Sequence, residues 1–498
     1  MTAGFWLPLA ILLSSLLPGI MIFFLDESKH RLRTTLNLGG ASLKLVLIGI
    51  LIWGVFNEIE YETRWTLAPG MELVLHADAL SVLFVTLSTV LWFVTTLYAV
   101  GYLEDAPHRS RFFGFFSLCV SATIGIAMAG NLLTFLFFYE LLTLSTYPLV
   151  VHRGTPEALR GGRIYLTYTI IGGAVLLAGV AWLRAVAGPL DFTETGILAS
   201  RTDLDRTTLT IIFVLLIGGL GVKAALVPLH GWLPQAMIAP APVSALLHAV
   251  AVVKAGAFGI VRVVYDVYGV EFVADLNMLV PLAVIASITI VYGSIRALFQ
   301  DELKKRLAYS TVSQVSYIAL GTAIYGPIAS IGGIVHLVHQ GLMKITLFFC
   351  AGNYAETLGI HHISEMRGVG QRMPWTTLAF SLGALGMIGV PPMAGFISKW
   401  YLGRGALAAD MDWVLWVLVA SGLLNAAYFL PILYTAWFRK PSGEWPQERH
   451  FGRFETHWML LLPPVITGIL ALLVGLFAAA PYSALEWARL IAFREYGQ

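Results

Sequence analysis

The chain reads as a long series of apolar runs, each about 20 residues long, separated by short polar loops. That is the length a helix needs to cross a hydrocarbon core of about 30 Å. Fourteen such runs lie near 5–25, 35–56, 79–102, 112–130, 131–151, 163–187, 208–230, 242–265, 273–296, 309–325, 328–352, 374–400, 412–438 and 457–481. Only Gly130 and Asn131 separate the fourth from the fifth, and only Tyr-Gly-Pro at 325–327 separates the tenth from the eleventh. The pattern predicts an all-α polytopic membrane protein of about 14 transmembrane helices. The polar loops near 188–207 and 439–456 are too short to fold alone. The first run has no basic segment before it, and its charges, Lys29, Arg31 and Arg33, follow it, so it reads as a retained span and not a cleaved signal.

Loop charge gives the series a direction. About 18 of the 31 Lys and Arg fall in the loops joining odd to even spans and about six in the alternate loops, which places both termini on the non-cytoplasmic side of a bacterial-type inner membrane. The alternate loops are acidic instead, as at Glu58, Glu60 and Glu62. Composition agrees, with 58% hydrophobic and 12% charged residues. A net charge of +2 without a basic block gives no reason to expect nucleic acid. Cys119 and Cys350, alone in apolar runs, read as packing residues and cannot hold an iron–sulfur cluster or structural zinc. No cofactor is expected.

Against this background, charges inside spans stand out, because a charged side chain at mid-bilayer costs about 2.5–3.5 kcal/mol on insertion scales. Residues 221–256 carry Lys223 and Lys254 with Pro228, Pro234, Pro240 and Pro242 between them. Glu140 stands in the apolar FFYELLTLSTYPLV, and Lys223 is its candidate partner, either as a switchable proton site or as a structural ion pair. His248 precedes Lys254 by six positions, about 240° around a regular helix, so the two do not share a face. The eleventh run, HLVHQGLMKITLFF, places His336, His339 and Gln340 on one face with Lys344 beyond. Histidine both donates and accepts near neutral pH, which suits a relay. A metal site is the competing reading, without a carboxylate or cysteine in register to complete it. Lys399 follows Pro391-Pro392 in GVPPMAGFISKW.

Pro228 and Pro391-Pro392 each interrupt a span, the seventh and the twelfth, within about ten residues of a lysine. Paired broken helices point to a site at mid-membrane depth. The expected organisation is three N-terminal helices (1–111), a first five-helix repeat (112–265), an inverted second repeat (273–438), and a last helix with a tail (457–498). Lys44, Arg184 and Arg262 are expected to snorkel toward a membrane surface, and Asp78 to cap the third span.

Four stretches carry a family resemblance: Glu140 in its run, KAALVPLHGWLP from Lys223, PVSALLH at 242–248 followed by Lys254-Ala-Gly, and LKKRLAYSTVSQVSYI at 303–318. They resemble the proton-translocating antiporter-like subunits, the family of the large Mrp-type cation/proton antiporter subunits and of the membrane-arm subunits of respiratory complex I and membrane-bound hydrogenases. The resemblance implies fourteen helices with an inverted repeat. It also implies a Glu140–Lys223 pair, a central Lys254, a histidine/lysine helix from His336 to Lys344, and an exit residue at Lys399. Length and the HQGLMK context look most like the D-type Mrp subunit, since A-type and the most distal complex I subunits usually carry long C-terminal extensions. Some relatives have histidine where Gln340 stands, and some complex I relatives have glutamate where Lys399 stands.

The function this implies is a proton-conducting subunit of a multisubunit Na⁺/proton antiporter, working with other membrane subunits in the lipid bilayer. A pumping subunit of a redox complex and a non-conducting scaffold are the alternatives; a standalone solute carrier has no evident organic-substrate pocket to support it.

Overall fold

In a computed structural model, which describes residues 3–103, 106–201, 203–441 and 443–497, each of the fourteen apolar runs is mostly helical. In chain order the helices are α1 Ala3–Phe23, α2 His30–Phe56, α3 Ala79–Tyr102, α4 Arg109–Ala127, α5 Leu132–Val150, α6 Pro156–Ala187 and α7 Arg206–Lys223. The middle of the chain holds α8 Trp232–Gln235, α9 Ala241–Ala249, α10 Val252–Arg262, α11 Val270–Asp275, α12 Leu279–Leu298, α13 Leu303–Ala323 and α14 Pro327–Leu358. The last six are α15 Val369–Arg372, α16 Pro374–Ile388, α17 Ala394–Ala408, α18 Trp413–Phe438, α19 Trp458–Leu476 and α20 Ala484–Glu495. Among the described residues twelve helical stretches are long and apolar enough to cross a membrane. The protein is a multi-pass helical membrane protein.

The short separations are sharp because each is chemically marked. Asn131 caps α5, its Oδ1 accepting the Thr134 N–H at 2.7 Å, and Asp78 caps α3 through the Ser81 N–H at 2.7 Å. Between α13 and α14, Gly326 precedes a proline at the first helical position.

The stretches α1, α2 and α18 expose much of their surface, whereas the most apolar windows of Ala241–Tyr268 and of α14 are wholly buried. α14 is the axis of the molecule, packed by α3, α9, α13, α16, α17, α19 and α20. A helix buried on every side has no lipid to face, so its polar residues must be satisfied by other helices.

Four differences from the sequence reading stand out. The seventh span is helical only to Lys223; residues 224–231 turn before α8. The eighth is also interrupted, at Val250–Ala251, and ends in a π-helical turn at Val263–Tyr268. A two-stranded antiparallel hairpin, β1 Glu62–Ala68 with β2 Met71–His76, precedes α3. Lys44 and Arg262 do not snorkel: both are buried, Lys44 with its Nζ 2.6 Å from Ser15 Oγ and over the Trp92 ring, Arg262 in an ion pair with Asp78. Arg184 alone of the three reaches the surface, bonding Gly70 O at 2.6 Å.

The loops sort onto two faces. On one, Arg64 reaches Asp191 at 3.0 Å and Arg494 reaches Glu194, joining the hairpin, the 188–205 loop and α20. On the other, Glu27 lies beside Arg33 and Arg109, Asp301 bonds Ser364, and Arg372 pairs with Glu448 at 2.6 Å. The second face collects the lysine- and arginine-rich loops, so the alternation read from charge is the alternation of the fold.

Candidate functional site

The two interruptions predicted from proline place backbone carbonyls where side chains can use them. The last carbonyls of a helix have no intrahelical partner. At the end of α16, Met387 O accepts from Lys399 Nζ at 2.8 Å, Asn425 Nδ2 at 3.2 Å and Gln314 Nε2 at 3.4 Å, and Ile388 O takes a second Lys399 bond at 2.8 Å. Lys399 therefore sits on the far side of the break and closes it. The peptide bonds Val227–Pro228 and Pro391–Pro392 are cis.

Lys223 stands on the near side of its break, as the last residue of α7. Its Nζ donates to the Tyr139 carbonyl and lies 3.3 Å from the centroid of the Tyr139 ring. Glu140, the next residue on α5, makes no ion pair with it among the described residues; its Oε1 is buried without a hydrogen-bond partner and packs against Gly173 of α6. The expected pair is thus a pair of neighbours, and Tyr139 is the group that joins them.

Lys254 donates to Leu337 O at 2.7 Å, on the turn of α14 that carries His336 and His339. His336 Nδ1 meets Ser398 Oγ at 2.8 Å, and its ring lies 5.1 Å from that of Tyr317. His339 and Gln340 are buried with both polar side-chain atoms unpartnered. So is His248, which stacks on Phe348 with centroids 4.5 Å apart. The interruption at Val250–Ala251 falls between His248 and Lys254, so regular helical rotation does not relate them and the 240° separation does not apply.

Lys344 begins a chain of hydrogen bonds that sequence reasoning missed. It donates to Ser310 Oγ at 2.7 Å and Leu307 O at 3.2 Å; Ser310 Oγ and Tyr428 OH lie 2.9 Å apart, and Tyr428 gives its one hydroxyl proton to Asn425 Oδ1. Asn425 and Lys399 then meet on Met387 O. Protein groups alone link Lys344 to Lys399 through three side chains. The signal was present: Asn425 and Tyr428 stand three apart in an otherwise apolar run, and Ser310 lies in the segment that carried the resemblance.

The acceptors share a character. Lys223, Lys254, Lys344 and Lys399 bond only carbonyl and hydroxyl oxygens or lie against tyrosine rings, and none is ion-paired to a carboxylate among the described residues. Three buried amines and a half-buried one, Lys399, held by neutral oxygens within the bundle, mark a polytopic membrane protein whose interior could carry protons. Comparison with known proteins gives the family. Residues 129–424 match the family described as "NADH:quinone oxidoreductase/Mrp antiporter, TM", and residues 68–113 the complex I chain 5 N-terminus. The chain belongs to this proton-translocating antiporter-like family.

It is similar to the N subunit of NADH-quinone oxidoreductase from Desulforudis audaxviator, 34% identical over 84% of this chain and 84% of that one. Its identity to the D-type subunit of the Na(+)/H(+) antiporter from Bacillus subtilis is 28%, over 93% and 92%. Among solved structures, a chain of the Mrp complex from Dietzia sp. superposes with a TM-score of 0.87 at 24% identity, covering 100% of this chain and 98% of that one. Respiratory complex I from Thermus thermophilus gives 0.82 at 23%, over 98% and 99%. These likenesses show a shared fold.

Proposed function

We propose that the chain is the proton-translocating subunit of a multisubunit monovalent cation (Na⁺)/proton antiporter, D-like in the Mrp sense. It works beside other membrane subunits in a bacterial-type inner membrane, with both termini on the non-cytoplasmic side. The observation that carries the reading is the row of four lysines inside the bundle, Lys223, Lys254, Lys344 and Lys399, without carboxylate partners. An uncompensated buried charge is strongly destabilising, so an interior amine without a carboxylate partner is poised to give up its proton; Lys44, held in the same way by Ser15 and Trp92, lies apart from the row. Here no fixed negative charge locks the proton on any amine, and Glu140 is near enough to Lys223 to bias it without neutralising it.

Protons enter the relay at Glu140 and Lys223, pass Lys254, the unpartnered rings of His248 and His339 and the open Nε2 of His336, and continue through Lys344 to Lys399. Neutral oxygens, the Tyr139 carbonyl beside the α7 break and the Met387 and Ile388 carbonyls at the α16 break, accept hydrogen bonds from the amines at the two ends of the relay. The two breaks lie in helices that start from opposite faces, which supports two inverted five-helix repeats at 112–265 and 273–438, within fourteen crossings. A second reading, a pumping subunit of a redox-driven complex, is favoured by the 34% identity to a quinone oxidoreductase subunit.

The test is cation-induced collapse of a respiration-generated pH gradient in everted vesicles, with the native assembly and with Glu140→Ala and Lys223→Ala at equal expression. Sodium should collapse the gradient in wild type, with the rate at least about tenfold lower in both variants, the scale of removing a positioned proton-transfer group. Absence of cation-dependent flux in wild type overturns the antiporter reading, and flavin or iron in the purified assembly then favours the redox one. Wild-type flux in both variants overturns the relay.

A further inference from the structure

The face that carries the hairpin has a cluster of acids outside the lysine row. Arg262, at the end of α10, is gripped at two points by one of them: its two terminal nitrogens meet Asp78 at 2.6 and 2.9 Å, one of them also bonding Ser81 Oγ at 2.8 Å. Asp266, one turn on, touches the same guanidinium at 3.1 Å through Oδ1. Its Oδ2 is buried with no partner. Glu495, at the end of α20, is 6% exposed, and its Oε2 is likewise buried and unpartnered.

Both carboxyls line one cavity of about 290 Å³ with Glu60, His76, Asp78, Glu194 and Arg494. Glu60, Glu194 and Arg494 are exposed and open it to the medium, while Arg494 leans away toward Glu194 at 3.4 Å. One buried arginine thus faces three acids, and Asp78 holds it in two-point contact. With Arg262 gripped by Asp78 and Arg494 turned to Glu194, Asp266 and Glu495 lack a cation each, and burial of two such carboxyls in one cavity favours a proton on one of them.

We propose that Asp266 and Glu495 form a proton-binding carboxyl pair at the hairpin-side mouth of the protein. A proton fits the site better than a metal ion, because no group of three or more ligating His, Cys, Asp or Glu side chains forms among the described residues. Glu495 agrees: burial first, then the charge of Asp266, pushes its carboxyl up to about 9.

The tyrosine next to each carboxyl in sequence reaches α14. Tyr265 OH, beside Asp266, bonds Ser330 Oγ at 2.7 Å, and Tyr496 OH, beside Glu495, meets the same hydroxyl at 3.2 Å. Ser330 lies on α14, six residues before His336. The role assigned to the pair is exchange of protons between the bundle interior and the medium on this face. That role rests on the proton-relay reading; protonation of the pair does not.

The experiment is an infrared pH titration of the purified native assembly, following the protonated-carboxyl C=O stretch in wild type, Glu495→Gln, Asp266→Asn and Glu194→Gln. The expected result is a band that disappears with a midpoint near pH 9 in wild type. It is absent in Glu495→Gln, shifted by a unit or more in Asp266→Asn and shifted less in Glu194→Gln, whose carboxylate lies at the open rim and pairs with Arg494. A titration identical in wild type and Glu495→Gln overturns the proposal. So does loss of the band when sodium replaces choline at constant pH, which makes the occupant a cation. Vesicle flux separates the two claims: the band as predicted with wild-type flux in Glu495→Gln keeps the site and removes its exchange role, whereas an at least tenfold loss of flux supports both.

Discussion

At the residue scale, the protein keeps amines in an apolar interior by giving each a neutral acceptor. Lys344 and Lys399 are the clearest case, joined through Ser310, Tyr428 and Asn425 to a carbonyl that α16 leaves open. Removing one hydroxyl should break the chain with little loss of packing. Tyr428→Phe is expected to reduce proton flux about tenfold, with a thermal midpoint close to wild type, since an average buried hydrogen bond contributes only about 1 kcal/mol net. Asn425→Leu should do the same by a different atom. Wild-type flux in both variants would make the chain structural. Asp78 shows the opposite device: burial works against its charge, but Arg262 beside it holds the carboxyl at about 2. Its folded value lies below its unfolded value, so the stability it supplies is present above about pH 4 and lost as pH falls toward 2. Thermal midpoints of wild type should therefore drop through that window, and Asp78→Asn should show a smaller drop.

At the element scale, the breaks depend on glycine as much as on proline. Gly256 of α10 lies against the broken end of α7, where a Cβ would overlap Ala224 N and the Lys223 carbonyl carbon; Gly395 of α17 meets Gly386 O in the same way across the second break. Backbone cannot swing aside as a side chain does. Gly256→Ala should therefore displace Lys223 from Tyr139, with a destabilisation of about 1–3 kcal/mol, the usual range for overpacking. The check is proton flux together with the thermal midpoint: flux should fall more than the lost midpoint explains. The prolines made the interruptions in the seventh and twelfth spans legible in advance. The one in the eighth was not, because Val250 and Ala251 are ordinary helix-compatible residues and the interruption is made by neighbours, with Gly341 of α14 near Ala249 O. Nor did sequence say that Lys223 precedes its break while Lys399 follows.

At the scale of the whole molecule, the two loop faces differ in charge, and the hairpin face is sealed by α20. Trp487 Nε1 bonds Ala79 O at 2.6 Å, and Glu495 closes over the acid cavity. With Glu495 pushed up to about 9, its folded value lies above its unfolded one, so the contribution is complete below the unfolded value and lost as pH rises through about 9. Trp487 fluorescence should therefore report loosening of α20 above about pH 9 in wild type. Glu495→Gln should abolish that transition; an identical transition in the variant would assign it elsewhere.

The fold class, the alternation of the loops and the intramembrane charges were legible because each rests on a local quantity: run length, loop charge, or the insertion penalty of one side chain. Glu140, the lysines and the α14 histidines announce themselves by being expensive where they stand. What those groups touch was not legible. Lys44 and Arg262 read as surface-seeking and are buried, since Ser15, Trp92 and Asp78 come from elements far away in sequence. Asp266 and Glu495 are separated by almost half of the chain, and only packing brings them to one cavity. Sequence by itself determined where charge enters the membrane, because that is a property of each segment; tertiary structure decided which charges meet, because acceptors, breaks and cavities belong to pairs of segments.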